Sequence, residues 1–383
     1  MSRILLIDTN FSALPVYQYL IQNNNEVFVV GGNPGDALAK SVRNYINLDY
    51  SNLDKTRDLI DKHKIDYILP GCNDRSYLVC SELNEKGNFY GIDTLEVTET
   101  INNKKKFRAF AVKVGLPVPK VFSNEKEINV WPLIIKPVDA YSGRGTTLLR
   151  ETEKEKLGQA IKLAEEFSRS KSYIIEEYIE GQLYSHSAFI SDGKIYIDFI
   201  VEEHGTANPF VVDTSRVVFD FGQKVLHNLR DTILLMAKEL NLVDGLVHTQ
   251  FIKKGERIWL IEITRRCPGD LYSQLIEMST GFPYAEMYAR PFLNQNISRD
   301  QKSLKHDYIL RHTISQLKED YFSSLEFNFP VHIEKFVPLS LSGEKVKGSP
   351  GGRIGLLFLR TNSEYDLINL FQVTLNRELY SIC

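Results

Sequence analysis

Cysteine is scarce in this sequence. Its four residues, Cys72, Cys80, Cys267 and Cys383, show no metal-ligand spacing, which argues against a cysteine-held metal centre. Cys267 beside two arginines is read as a packed, reduced thiol, with an active-site thiol as the alternative. Long apolar runs are absent too. The opening MSRILLIDTN is too brief for a signal segment, so a soluble, cytoplasmic protein without a membrane partner is expected. Charge of one sign is not in excess: 46 basic against 49 acidic residues give a formal charge of -3, which argues against a general nucleic-acid partner. No repeat or low-complexity tract is visible. Glycine is missing from the first strand–helix turn, DTNFSALP. A dinucleotide-binding turn needs glycines for close approach to pyrophosphate, so nicotinamide chemistry is not expected here.

What is present is a periodic α/β pattern. At 383 residues, two or three packed units are expected. Arg3 to Ile7, Glu26 to Val30 and Ile65 to Leu69 read as strands. Between them lie a helix with Ala13, Leu14, Tyr17, Leu20 and Ile21 on one face and a second helix over Leu53 to His63. This alternation implies a parallel sheet with right-handed crossovers. Such sheets bind ligands beyond the carboxyl ends of their strands, where Asp8, Gly31-Gly32 and Gly71-Cys72-Asn73-Asp74 fall.

Asn103 is a candidate cap for a helix running to about Lys113 and stopped at Gly115. Pro132 to Lys136 and Thr146 to Leu149 read as strands around a glycine-bearing turn, and Glu153 to Arg169 as a helix with Leu157, Ala160, Ile161, Ala164 and Phe167 inward. Ser172 to Glu176, Leu183 to Ile190 and Lys194 to Val201 read as further strands, and Gln223 to Leu240 as a helix. The loop Glu202 to Arg216 is expected to join strand to helix. After Pro291 the pattern suggests a small β-rich unit, with strands at Val331 to Phe336 and Ile354 to Leu359.

Three segments carry chemistry. In LIIKPVDAYSGRGTTLLR, Lys136 ends a strand, and the turn Ser142, Gly143, Arg144 and Gly145 offers backbone N–H groups to phosphate oxygens. In YIIEEYIEGQLY, a strand leaves its sheet at Glu176, Glu177, Tyr178 and Ile179. Backbone groups there suit the polar edge of an adenine, and apolar side chains suit its faces. In GLVHTQFIKKGERIWLIEITRRCPGD, Glu262 is a lone carboxylate in an apolar strand, costly to bury without a cation. Period-two alternation places His248 with Gln250 and Glu262 with Thr264 on shared faces. Hard divalent ions take such oxygen donors, and the nearby Arg266 suits charge developing at a carbonyl. A buried Glu262–Arg266 ion pair is the structural alternative.

Taken together, these segments resemble the ATP-grasp superfamily in order and spacing, from the N-terminus to about Pro291. NKKKFRAFAVKVGLPVP, IIKPVDAYSGRGTTLL, IIEEYIEG, GLVHTQF and WLIEITRR are similar to its motifs. The resemblance implies a Rossmann-like N-terminal parallel sheet over 1–98 and an α+β ATP-grasp domain over 99–300, with a lid at about 120–182. A β-rich unit over 301–383 completes the reading. It implies ATP with Mg2+, or Mn2+, as cofactor, Lys104 and Lys136 on the phosphates, and the hinge Glu176 to Ile179 on adenine. It implies metal ligands Glu262, Gln250 and Thr264, and Arg266 as the catalytic cation. His204, Arg265, Asp270, Asn73 and Asp74 are substrate-contact candidates.

The implied reaction activates a small carboxylate as an acylphosphate for attack by an amine. Partners would be these small molecules and a second copy of the chain. The sequence departs from the family pattern at Gln250, Thr264 and Leu183, where glutamate, asparagine and a ribose-contacting glutamate are usual. These departures keep open a nucleotide-binding protein without ligase activity. A carboxylase or carbamoyl-phosphate type of enzyme is a further alternative.

Overall fold

The computed structural model of the protein describes residues 1–140, 143–297 and 304–383. The N-terminal unit comprises β1 (Arg3–Ile7), α1 (Leu14–Gln22), β2 (Glu26–Gly31), α2 (Ala37–Ser41), β3 (Tyr45–Asn47), α3 (Leu53–His63), β4 (Tyr67–Pro70) and α4 (Asp74–Leu83). Its sheet is parallel, in the order β3-β2-β1-β4, as the alternation implies. The inward face of α1 differs from expectation. Val16 and Leu20 are fully buried, whereas Leu14 and Ile21 are exposed. A 3-10 turn at Phe11–Ala13 precedes the helix and resets its phase.

Two helices, α5 (Leu95–Asn102) and α6 (Lys104–Val114), lead to the next unit. The Asn103 side chain caps α6 by accepting from the Lys105 and Lys106 amides, and Gly115 at φ 76° ends it. A four-stranded antiparallel sheet follows, formed by β5 (Val121–Phe122), β6 (Leu133–Pro137), β7 (Thr147–Leu149) and β8 (Tyr173–Glu177) in the order β5-β8-β6-β7. Helix α7 (Leu157–Phe167) packs Leu157, Ala160 and Ala164 onto it. Phe167, expected inward, is instead half exposed and covers the Gly145 turn.

The largest sheet has eight strands in the order β13-β12-β9-β10-β11-β14-β19-β17. It is built from β9 (Gln182–Ser191), β10 (Lys194–His204), β11 (Thr214–Val218), β12 (Gly245–Lys254) and β13 (Arg257–Thr264). The C-terminal strands β14 (Tyr308–Ile314), β17 (His332–Pro338) and β19 (Gly355–Thr361) extend it. Helix α8 (Gln223–Glu239) covers one face, and α9 (Tyr272–Thr280) and α10 (Tyr284–Ala289) lie after the β12–β13 pair. Short strands β15 (Asp320–Tyr321), β16 (Leu325–Phe327), β18 (Lys345–Val346) and β20 (Tyr380–Ile382), with helix α11 (Glu364–Leu375), complete the tail. The tail therefore has a core of its own but shares its main sheet with the preceding unit, and it includes a helix. The stretch expected as a loop over Glu202 to Arg216 ends in strand β11. No helix among the described residues is long and apolar enough to cross a membrane.

A buried ion pair joins the N-terminal unit to the large sheet. Arg265 Nε donates to Asp93 Oδ2 at 2.6 Å, and its other nitrogens donate to the Leu246 and Val243 carbonyls. Replacing Arg265 by Met strands a buried carboxylate and should cost about 3–5 kcal/mol, read as a lower urea midpoint at unchanged m-value. A cost below about 1 kcal/mol would show that Asp93 finds other partners.

Two buried histidines set a pH dependence. Burial holds His248 down at about 3 and His312 at about 4. In the unfolded chain both titrate near about 6.5, so on acidification the unfolded state takes up protons first and stability falls below that pH. The melting temperature should decline from about pH 6.5 toward pH 4, and His248→Gln should make that decline shallower. Parallel curves for the two proteins would contradict this account.

Candidate active site

Strand alternation places a row of polar side chains on one face of the large sheet. Gln250 of β12 stands directly opposite Glu262 of β13, and His248 opposite Thr264, an arrangement the sequence left open. A bulge between Gln250 and Phe251 lets Leu260 and Ile263 both reach the core while Glu262 stays on the polar face. Glu262 is not buried as its apolar neighbours suggest. Its side chain is 44% exposed, with Oε1 3.7 Å from Lys104 Nζ.

The two candidate phosphate lysines converge from separate segments. Lys104 opens α6, and its Nζ donates to the Ala140 carbonyl at 2.9 Å, just before the glycine turn. Three consecutive lysines and no acidic residue occupy the first turn of this helix. Cations there oppose the helix dipole, so an anion is the natural complement. Lys136 is buried at the end of β6 and pairs with Glu176. The other Glu176 oxygen accepts from Arg108 Nε at 2.6 Å, and Arg108 Nη2 donates to the Ile261 carbonyl at 2.9 Å. Burial works against the Glu176 charge, but Lys136 and Arg108 together hold its carboxyl below the ordinary range. Burial, aided by Arg108 and Lys104, pulls the Lys136 ammonium below its usual value against the pull of Glu176. Glu176 is thus a buried counter-ion. The hinge at large continues through Glu177, Tyr178 and Ile179, which border a 480 Å³ cavity with Trp131, Pro132 and Trp259.

The glycine turn is anchored at both glycines. Gly143 lies at φ 64°, and a Cβ there would meet Phe210 Cβ at 2.7 Å, so only glycine fits. Gly145 packs on Phe167, and Arg144 at the tip is exposed. Ser142 lies outside the described residues.

Arg266 pairs with Asp74 rather than with Glu262, with Nε 2.8 Å from Asp74 Oδ1. Asp74 begins α4 at the carboxyl end of β4, so the N-terminal unit orients this arginine. Burial opposes ionisation of Asp74, yet Arg266 and the Thr264 hydroxyl hold its carboxyl below the ordinary range. The Thr264 hydroxyl donates to Asp74 at 3.0 Å, which turns it toward that carboxylate and away from the expected metal position. Asn73 caps α4 through the Ser76 amide, a structural task. Asp270 sits at φ 53°, as does Leu271, a conformation that costs non-glycine residues on the order of 1 kcal/mol or more each. Its carboxylate pairs with Arg353, its amide donates to Ser12 and its carbonyl accepts from Arg311.

Two expected contacts are not brought to this face. Arg265 is buried against Asp93, because successive side chains leave the chain in opposite directions. His204 bonds Glu202 at 3.0 Å and packs edge-on against Phe371 of α11. Its neighbour Glu203 instead faces the site, where it accepts from Gln250 Nε2 at 2.7 Å. Burial raises the Glu203 carboxyl above its ordinary value, and Glu262 adds to this. Arg108, Glu203, Arg311 and Arg353 went unread in the sequence. For Glu203, period-two counting along β10 carries the signal. The other three depend on contacts across units.

The donors fit a hard divalent ion. Among the described residues no group of three or more His, Cys, Asp or Glu side chains could enclose a metal. One exposed carboxylate beside an amide oxygen suits magnesium, which is commonly held by one or two carboxylates together with substrate phosphates.

Comparisons with known proteins bear on the fold that carries this site. Residues 129–274 match the family model of the ATP-grasp domain. The chain is 24% identical over 293 residues to the phosphoribosylamine–glycine ligase of Pyrococcus furiosus; the match takes in 70% of this chain and spans 66% of that relative's length. Among solved structures, the L-amino acid ligase from Bacillus licheniformis superposes with a TM-score of 0.80 at 17% identity, covering 100% of this chain and 98% of that one. Phosphoribosylglycinamide synthetase from Anaerococcus prevotii gives 0.76 at 17% identity, with 100% and 99% covered. The chain thus carries an ATP-grasp domain over residues 129–274 and folds along its length as these solved ligases and synthetases do.

Proposed function

We propose that the protein is an ATP- and magnesium-dependent ligase that activates a small carboxylate, an amino acid among the candidates, as an acylphosphate for attack by an amine. One observation carries this reading: Lys104, from the start of α6, lies 3.7 Å from Glu262 on β13 and donates to the chain just ahead of the glycine turn. Three distant segments thereby converge on one anion-binding space. The names of the relative and of the structural neighbours support the same class of reaction.

In this reading Lys104 and the spare donors of the Lys136 ammonium hold phosphate oxygens, and the backbone of the glycine turn covers them. Glu262 and the Gln250 amide oxygen would hold magnesium, which supplies neutralisation of phosphate charge. The substrate carboxylate attacks the γ-phosphorus, the bond to the β-bridging oxygen breaks, and ADP leaves. Arg266, held in place by Asp74, faces the negative charge on the acylphosphate and on the tetrahedral adduct that follows. The amine then forms the C–N bond, phosphate departs, and the amine's proton passes to solvent. Closure of the glycine turn keeps water from the acylphosphate.

Incubation with ATP, magnesium and pools of amino acids and small carboxylates should release ADP and phosphate in at least one pool. Glu262→Ala should lower that turnover on the order of a hundredfold or more. The engagement of Gln250 by Glu203 and of Thr264 by Asp74 favours a second reading, a nucleotide-binding protein without turnover. Calorimetry separates the two: ATP affinity unchanged by removing magnesium, with no ADP from any pool, sustains the second and defeats the first.

A further inference from the structure

A second cavity, of 240 Å³, lies on the opposite face of the large sheet, between β14, the end of α11 and β20. Its polar lining includes Thr206, His312, Gln316, Arg377 and Tyr380, and its apolar lining includes Leu379, with Leu317 62% exposed. Strand alternation explains the separation from the nucleotide face. Arg311 points to that face, and His312 to this one.

The cavity presents a guanidinium with no carboxylate directly on it; the nearby buried Asp213 carboxylate is joined to it only through the Thr206 hydroxyl. Arg377 Nη1 donates to Thr206 Oγ1 at 3.2 Å and Nη2 to the Ser315 carbonyl at 2.7 Å. Both partners are neutral, and among the described residues no carboxylate lies within ion-pair distance of this guanidinium. His312 is kept neutral by burial and bonds both Thr214 and the Tyr380 hydroxyl. A guanidinium in a partly enclosed space favours an anion. The apolar wall favours a compact hydrocarbon body, and the volume restricts it to a small molecule.

The cavity is also linked to the nucleotide face. Thr206, which receives Arg377, donates through the same hydroxyl to Asp213 Oδ2 at 2.8 Å. Asp213 further accepts from the Thr206 and Ala207 amides, so it ties the loop 205–213 into one closed turn. Phe210 of that loop rests on Gly143, the first described residue of the glycine turn. An anion drawing Arg377 away from Thr206 would act on the base of a loop whose tip supports the phosphate-covering turn.

We propose that this cavity binds a small monocarboxylate with a compact apolar body, and that its occupancy alters nucleotide affinity through the loop 205–213. Sodium benzoate is a suitable probe, with neutral benzamide as its isostere, titrated by calorimetry into the full chain. Benzoate should bind, and benzamide about tenfold or more weaker. Arg377→Gln should weaken benzoate by a similar factor. Leu317→Trp, which closes the rim without altering the core, should abolish binding and serves if the first variant folds poorly.

Because a ligase site also takes carboxylates, Arg266→Gln is the control, and it should leave benzoate affinity unchanged. ATP affinity should shift about twofold or more on saturation with benzoate, and not in Leu317→Trp. Absence of benzoate binding at millimolar concentration, binding indifferent to both cavity variants, or binding lost in Arg266→Gln would overturn the site. Binding that leaves ATP affinity unchanged would overturn the effector role.

Discussion

A buried carboxylate has to be met by cations, and in this protein Glu176 is that carboxylate. It lies fully buried at the end of β8, between Lys136 of β6 and Arg108 of α6. Arg108 also reaches the Ile261 carbonyl on β13. One charge cluster therefore spans the small sheet, the helix that begins with Lys104 and the strand that carries Glu262. Removing Glu176 would leave two cations uncompensated in an interior that penalises them heavily. The cluster ties Lys136 and the helix that carries Lys104, the two lysines proposed to hold phosphate, to the strand of Glu262.

Polar contacts also tie the N-terminal unit to the large sheet. Within that unit, at the carboxyl ends of β1 and β4, the chain passes so close that a Cβ on Gly71 would meet Asp8 Cβ at 2.1 Å. From the same carboxyl-end region, Asp74 reaches Arg266 and Ser12 reaches Asp270. Arg266, proposed above to face the acylphosphate, is thus aimed by a residue from a different unit. The pinned, left-handed Asp270 is where three parts of the chain meet. Strain concentrated beside a site in this way is common where geometry serves function.

The C-terminal strands have a similar dual character. They extend the large sheet, and their alternating residues serve two faces. Arg311 contacts the Asp270 carbonyl on the side of the candidate site, and His312 lines the cavity beneath α11. The loop 205–213 runs between these regions, touching Arg377 at one end and Gly143 at its tip.

Much of this was legible in the sequence, for local physical reasons. Hydrophobic period gave the parallel N-terminal sheet, Asn103 and Gly115 bounded α6, and alternation put Gln250 and Glu262 on the face they occupy. These features depend on neighbours a few residues apart. Tertiary structure alone decided which charges meet. Glu262 is exposed beside Lys104, Arg266 turns to Asp74, Arg265 is sealed against Asp93, and Glu203 rather than His204 faces the site. Each of these partnerships except Glu203 with Gln250 joins residues from different units, and even that one crosses an intervening strand. Periodicity assigns a side chain to a face, but the charge waiting on that face comes from elsewhere in the chain. A carboxylate's partner is chosen by the cost of leaving it buried alone, and that cost exists only once the units have packed.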